Sequence, residues 1–293
     1  MFGHLSLSDS WSRLKLRAGK KPPPLEATLA SLTDSGCKRT ENQDRVGTLR
    51  LRDDRQDCMV GIVADGMGGN HGGGRAAGLA VQAVENALGK GGALRDPVSA
   101  LHRAIAQANA TIYSEAQCVV EHHGMGTTLT IVMLCQGRLF CGHVGDSRLY
   151  RLREQRIEQL SHDHSLVGEL IRSGHLTTEQ GKQHPDSNIL SRAVGKHPSV
   201  EAEVWQEKPA PLAGDRYLLC SDGLHGLLTD DEILQGQSGR TPDQACRHLV
   251  EQARAAGGHD NIAVVILSLH GAESPNAAKE RKVPEQTVAG HRT

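Results

Sequence analysis

The sequence predicts an α+β sandwich of mostly antiparallel sheets, and three observations carry that expectation. Apolar runs of strand length come in hairpin-linked groups, and amphipathic helices gather in two places rather than alternating one for one with strands. Aromatic residues make up only 2% of the chain, so the core must be aliphatic. A chain of 293 residues can bury a sizeable core, and about 250 residues in one domain is ordinary for sandwich architectures.

Taken in order, residues 1–25 mix Leu5, Leu7, Trp11, Leu14 and Leu16 with Arg13, Lys15, Arg17, Lys20 and Lys21, then stop at Pro22, Pro23 and Pro24. The apolar spacing is irregular, so a disordered leader is expected ahead of an amphipathic helix at a membrane surface or on a partner. Ala27–Leu32 and Met59–Ala64 read as strands, the second almost continuously apolar and so covered on both faces. Helices follow over Gly74–Leu88 and Pro97–Gln117, where Ala, Val, Leu and Ile recur at three- and four-residue spacings. Thr127–Cys135 and Leu139–Val144 are strands joined by the turn pair Gln136-Gly137, and Arg148–Leu152 with Ile157–Leu160 makes a second hairpin. Ser165–Ser173 and Thr178–Gln183 read as short helices, and Val200–Trp205 and Arg216–Cys220 as strands. The last helix has Thr241 as N-cap, Pro242 at its first position, a stripe of Ala245, Leu249, Val250 and Ala253, and a stop at Gly257-Gly258. Ile262–Leu269 closes a domain that runs from residue 26 to 270; residues 271–293, rich in Ala, Pro, Lys and Glu without periodicity, are expected to be a disordered tail.

The formal net charge of -1 excludes a global field that would draw the chain to nucleic acid or an acidic membrane. Seven cysteines, an odd number without a CxxC pair, argue against a disulfide framework and a zinc-ribbon site, and point to the reducing cytoplasm. No apolar run approaches the ~18 residues that span a bilayer, and no signal-peptide core opens the chain. A cytoplasmic monomer that neither crosses a membrane nor binds nucleic acid is expected.

Chemistry concentrates in four short carboxylate motifs: Arg39-Thr-Glu-Asn-Gln-Asp44, Asp65-Gly-Met-Gly-Gly69, Ser221-Asp-Gly223 and Asp260-Asn261. Each places an Asp beside or within two residues of Gly or Asn where a strand-like run begins or ends, which is how a fold gathers distant carboxylates around hard, oxygen-seeking cations. Gly66 lets the backbone approach closely enough for its carbonyl to join such a site. A phosphate-cradling glycine loop does not fit, because His71 falls where G-x-G-x-x-G requires its third glycine. His162-Asp-His164 and His122-His123 lack the spacing of transition-metal ligands.

Together with Gly124-Met-Gly-Thr-Thr-Leu129, His143-Val-Gly-Asp-Ser-Arg-Leu-Tyr150, Asp163-His-Ser165 and His184-Pro185, these segments resemble, in family order, the type 2C metal-dependent protein phosphatases in their compact bacterial form. The resemblance implies an α-β-β-α sandwich, with residues from about 160 to 195 forming a flap beside the cleft. It implies two Mn²⁺ or Mg²⁺ ions held by Asp44, Asp65, the Gly66 carbonyl, Asp222 and Asp260, with Asp65 bridging, and a third ion at Asp146. Oxygen donors suit these hard ions, whereas zinc prefers His or Cys. Arg39 would grip the substrate phosphate with its planar fork. The implied reaction is one-step hydrolysis of phosphoserine and phosphothreonine by a bridging metal-bound hydroxide. The implied partners are phosphorylated proteins and the eukaryotic-type Ser/Thr kinase that this enzyme would oppose.

The pattern departs in two places. Several relatives carry His directly after Asp-Gly, where this chain has Met67; His71, four positions later, is the candidate general acid. Gly74 stands where a Glu is usual, which removes a hydrogen-bond partner for metal-bound water. Two rival readings stay open: a catalytically weak, phosphoprotein-binding regulatory module, and a phosphatase of an anti-sigma antagonist or a secretion-system phosphoprotein. A covalent cysteine route is not among them, since no Cys opens a C-x₅-R loop.

Overall fold

The computed structural model describes residues 25–52, 57–89, 95–182 and 184–271. The expected leader, up to residue 24, and the expected tail, from residue 272, lie outside them, as does Gln183. Strands β1 (Leu25–Asp34), β2 (Arg45–Arg52), β3 (Asp57–Ala64) and the two-residue β4 (Gly66–Met67) precede helices α1 (Gly69–Gly89) and α2 (Pro97–Cys118). Next come the short β5 (Gly126–Thr127), the hairpin β6 (Leu129–Cys135) and β7 (Arg138–Val144), and the hairpin β8 (Arg148–Arg153) and β9 (Arg156–Gln159). Helices α3 (Leu166–Arg172) and α4 (Thr178–Lys182) interrupt the strands before β10 (Glu203–Gln206) and β11 (Arg216–Cys220). Helices α5 (Asp222–His225), α6 (Asp230–Gln237) and α7 (Pro242–Ala255) lead into β12 (Ile262–Gly271).

Two five-stranded sheets result, ordered β1-β12-β11-β8-β9 and β10-β7-β6-β3-β2, with every neighbouring pair antiparallel. Period-2 alternation explains how they stack. Along β6, Leu129, Ile131 and Met133 pack under α1 and α2, while Val132 and Leu134 point to the other sheet. Along β12, Ile262, Val264 and Ile266 pack with Ala245 and Leu249 of α7, while Ala263, Val265 and Leu267 meet the facing sheet. Three apolar layers therefore separate four layers of structure, the expected α-β-β-α sandwich. Each buried Leu, Ile or Val contributes about 1.5–3 kcal/mol, and a one-residue slip would turn every such side chain to the wrong layer, so the register is strongly specified.

Three features differ from the sequence reading. Strand β2 was not anticipated, because Arg45, Arg50 and Arg52 interrupt its apolar pattern; it is an edge strand whose outer residues are exposed. Helix α6 is weakly apolar, yet its start is written in the sequence as a capping box in which Thr229 and Glu232 exchange hydrogen bonds. Cys58 and Cys135, opposed in the β3/β6 register, are joined as a disulfide where no disulfide framework was expected. Their pairing is set by sheet register between positions 77 residues apart, which cysteine spacing does not reveal. The expected Gln136-Gly137 turn forms, with φ of 51° and 69°, both positive as a type I′ hairpin requires.

Candidate active site

At the end of the sandwich where β3 and β11 finish and β6 and β12 begin lies a cavity of about 780 Å³. Asp65, Gly66, Asp146, Asp222 and Asp260 line it together with Arg39, Thr128, Asn188 and Asn261. Asp44 sits behind them, 1% exposed, with its carboxyl against that of Asp65. The structure thus brings together carboxylates that are up to 216 residues apart, counting from Asp44 to Asp260.

Each is aimed by its local backbone. Asp65 follows β3 directly; its N–H donates to Thr128 Oγ1 (2.9 Å), and its carbonyl accepts from Thr128 N–H (2.9 Å) and Thr127 Oγ1 (2.8 Å). Gly66 has no space for a side chain, since a Cβ there would lie 2.1 Å from the Gly73 carbonyl oxygen and 2.8 Å from that of Gln43. Asp44 accepts a 2.6 Å hydrogen bond from Ser221 Oγ, which itself accepts from Ala263 N–H (2.8 Å). Asn261 holds the Arg39–Asp44 loop, accepting from Gln43 N–H (2.8 Å) and donating to the carbonyls of Ser35 (3.1 Å) and Glu41 (3.0 Å). Asp222 opens α5, and Asp146 occupies the three-residue link by which the chain passes from β7 in one sheet to β8 in the other.

The electrostatics show what the cavity lacks. Burial, followed by the charges of Asp44, Asp222 and Asp146, pushes the Asp65 carboxyl well above the usual carboxylate range. Asp44, Asp146 and Asp222 are likewise raised, in each case first by burial. Asp222 Oδ1 is buried without a hydrogen-bond partner. The guanidinium lining the cavity, Arg39, already donates to Asp260 Oδ2 at 2.7 Å. Crowded anions that outnumber the Arg39 guanidinium in the lining and leave an oxygen orphaned fit divalent cations, and a lining without His or Cys fits Mn²⁺ or Mg²⁺ better than Zn²⁺. Among the described residues no three such side chains are gathered closely enough to hold an ion unaided. Mg²⁺-type sites routinely complete their shells with backbone carbonyls and water.

Two candidate positions stand apart. His71 lies in the first turns of α1, and its side chain is outside the described residues. Gly74 has room for a Cβ, which would lie 3.5 Å from Glu41 Oε1 and 3.4 Å from Arg45 Nη2, so a carboxylate from the Arg39–Asp44 loop already approaches the place of the absent Glu side chain. The supporting residues Ser221, Thr128 and Asn261 had no role in the sequence reading. The available signal was a Ser, Thr or Asn at a strand end beside a motif Asp.

Facing antiparallel sheets that deliver a carboxylate-lined cavity at their shared end fit a metal-dependent hydrolase. A family model described as Protein phosphatase 2C matches residues 37–259, and the chain belongs to that family. It is 36% identical over 242 residues to the serine/threonine phosphatase stp of Listeria monocytogenes, covering 80% of this chain and 93% of the relative. The catalytic domain of the serine/threonine protein phosphatase PstP, solved with two manganese ions, superimposes with a TM-score of 0.74 at 32% identity, covering 84% of this chain and 99% of that one. PppA, described as a key regulatory component of the type VI secretion system in Pseudomonas aeruginosa, superimposes with a TM-score of 0.70 at 32% identity, covering 83% and 97%. Among the described residues no helix is long and apolar enough to cross a membrane.

Proposed function

We propose that this chain, a protein phosphatase 2C by family, hydrolyses phosphoserine and phosphothreonine in proteins with two Mn²⁺ or Mg²⁺ ions held in the carboxylate cavity. The observation that carries the reading is the convergence of Asp44, Asp65, Asp222 and Asp260 on one cavity, with Asp222 Oδ1 left without a partner. When bound, such ions supply an acidified water for in-line attack and Lewis-acid stabilisation of the phosphoryl oxygens. Asp65 would bridge the pair, the Gly66 carbonyl and Asp44 would serve one side, and Asp222 and Asp260 the other. Asp146 would hold a third, outer ion.

The rest of the work falls to residues of the chain. Arg39 would exchange its exposed bond to Asp260 for two parallel bonds to the incoming phosphoryl group. Water adds to phosphorus as the bond to the Ser or Thr oxygen breaks, and that oxygen takes a proton. The segment from residue 160 to 195 would serve as the flap over the cleft; its two ends are tied by bridges from Ser165 to Leu190 and from Val194 to Thr127. The full carboxylate set supports catalysis over the rival of a binding module. The phosphoproteins would be targets of a bacterial eukaryotic-type Ser/Thr kinase, met by a monomer in the cytoplasm. Phosphate release from matched phosphoserine, phosphothreonine and phosphotyrosine peptides tests the reading: turnover of the first two is expected, and a preference for phosphotyrosine contradicts it.

A further inference from the structure

The Gly145-Asp146-Ser147 link carries a candidate ligand across from one sheet to the other, and side chains from elsewhere hold its Gly145 N–H and its Asp146 carbonyl. Gly145 N–H donates to His164 Nδ1 at 3.2 Å, and Gly145 O accepts from His164 N–H at 2.7 Å. The Asp146 carbonyl accepts from His225 Nε2 at 3.1 Å, and Ser147 Oγ shares a 2.7 Å hydrogen bond with Thr128 Oγ1, the atom that also receives Asp65 N–H. Gly145 adopts φ of +112°, and a Cβ there would lie 2.6 Å from the Thr128 side chain, so only glycine fits this position.

Donor and acceptor bookkeeping fixes the tautomer of His164 and the Nε2 proton of His225. A backbone N–H can only donate, so His164 Nδ1 must be an acceptor, the ring is neutral, and its proton sits on Nε2. That nitrogen is 3.1 Å from Glu203 Oε1, to which it donates. Arg192 Nη1, 3.5 Å from the same nitrogen, cannot donate to an atom that already carries a proton; it flanks Glu203, 3.9 Å from Oε1. A carbonyl can only accept, so His225 also carries its proton on Nε2. His164 is 1% exposed, too deeply buried to meet substrate, and its own carbonyl accepts from Ser191 N–H at the far end of the 160–195 segment.

We propose that His164, oriented by Glu203, and His225 are positioning residues whose rings hold the Gly145 N–H and the Asp146 carbonyl, the two ends of the Gly145-Asp146 segment, so that the Asp146 carboxylate is presented to the cavity in one orientation. The inference rests on Asp146 holding the outer ion. Metal-site carboxylates are effective only when their orientation is fixed by such outer hydrogen bonds, and loss of one costs about 10–100-fold in affinity or activity.

Isosteric amides separate the two bonds of His164. His164→Asn places an oxygen at the position of Nδ1 and keeps the acceptor for Gly145, whereas His164→Gln places its NH₂ near Nε2 and keeps only the donor toward Glu203. His225→Gln keeps the donor to Asp146 O and His225→Met removes it. On a phosphothreonine peptide with saturating Mn²⁺, kcat should fall by about tenfold or more in His164→Gln and His225→Met, with KM little changed, and stay within about threefold of wild type in His164→Asn and His225→Gln. Amide hydrogen exchange of the Mn²⁺-free proteins gives a readout independent of turnover: Gly145 N–H should exchange faster in His164→Gln and remain protected in His164→Asn. Equal losses in the Asn and Gln variants of His164, unchanged Gly145 exchange, or losses that follow the melting temperature alone would overturn the proposal. Asp146→Asn, measured alongside, separates the two levels. Wild-type turnover in Asp146→Asn removes the outer-ion reading and this inference with it, whereas a loss there beside wild-type kcat in His164→Gln and His225→Met overturns the positioning role alone.

Discussion

Arg39 Nη2 lies 2.7 Å from Asp260 Oδ2, so the side chain expected to grip phosphate is bonded to a carboxylate expected to hold metal. The two side chains are 57% and 36% exposed, and an exposed pair of this kind contributes about 0–1 kcal/mol. Such a bond would yield readily to a phosphoryl group, and in the proposed roles of the two residues it would link substrate binding to the metal site.

Arg39→Ala should therefore leave the melting temperature nearly unchanged and raise KM for phosphopeptide by about tenfold, the equivalent of one charge-assisted hydrogen bond of ~1.5 kcal/mol. Arg39→Lys should recover little of it, because a single ammonium cannot make two parallel bonds. Steady-state kinetics and a melting curve decide; unchanged KM in both variants removes Arg39 from the phosphate site.

Asp65→Asn and Asp222→Asn should each lower kcat by about a hundredfold or more, since each takes charge from the cluster that would hold the ions. In metal-free protein the same substitutions should raise the melting temperature, because they relieve repulsion among buried carboxylates. A variant that keeps wild-type kcat/KM in saturating Mn²⁺ contradicts the ligand assignment.

The pH dependence of stability has a definite sign. Burial, opposed by the Ser221 hydrogen bond, leaves Asp44 raised to about 7, and burial with the charge of Asp222 raises Asp146 to about 8. An acid whose folded pKa exceeds its unfolded value of 3.8 binds more protons in the folded state. Its contribution is present at low pH and is lost as pH rises toward the folded value. Metal-free protein should thus melt at a lower temperature near about pH 8.5 than near about pH 6.5. Saturating Mn²⁺, which requires ionised carboxylates, should reverse the order. Calorimetry of both forms checks it, and a metal-free protein that gains stability across that range refutes the charge crowding.

Ser221→Ala removes the donor to Asp44 Oδ2 and the acceptor of Ala263 N–H, both buried. A stability loss of about 1–3 kcal/mol is expected, with Mn²⁺ affinity weakened by about tenfold or more. Titration calorimetry at matched folded fraction should show the second effect; unchanged affinity would leave Ser221 a purely structural residue.

Asp65, Asp222 and Asp260 were legible because each stands within two residues of the start or end of an apolar strand, as Asp65 does after Ile62, Val63 and Ala64, whereas Asp44 precedes the arginine-interrupted β2 and was legible only through its motif. The layers were legible because β6 and β12 are apolar on both faces and α7 carries its own caps. Edge strand β2 was hidden by its arginines, and the start of α1 at Gly69 rather than Gly74 was hidden because Gly72 and Gly73, the latter needed for close approach to Gly66, are poor helix formers. The hydrogen bonds between Gly145 and His164 and from His225 to Asp146 join positions 19 and 79 residues apart, so no local pattern announces them.

The most direct measurement is turnover of a phosphothreonine peptide by protein stripped with EDTA and titrated with Mn²⁺, with bound metal counted by elemental analysis. Metal-free protein should be inactive, activity should rise as at least two ions bind per chain, and Zn²⁺ should not substitute. Undiminished turnover by protein verified to contain no metal would contradict the account.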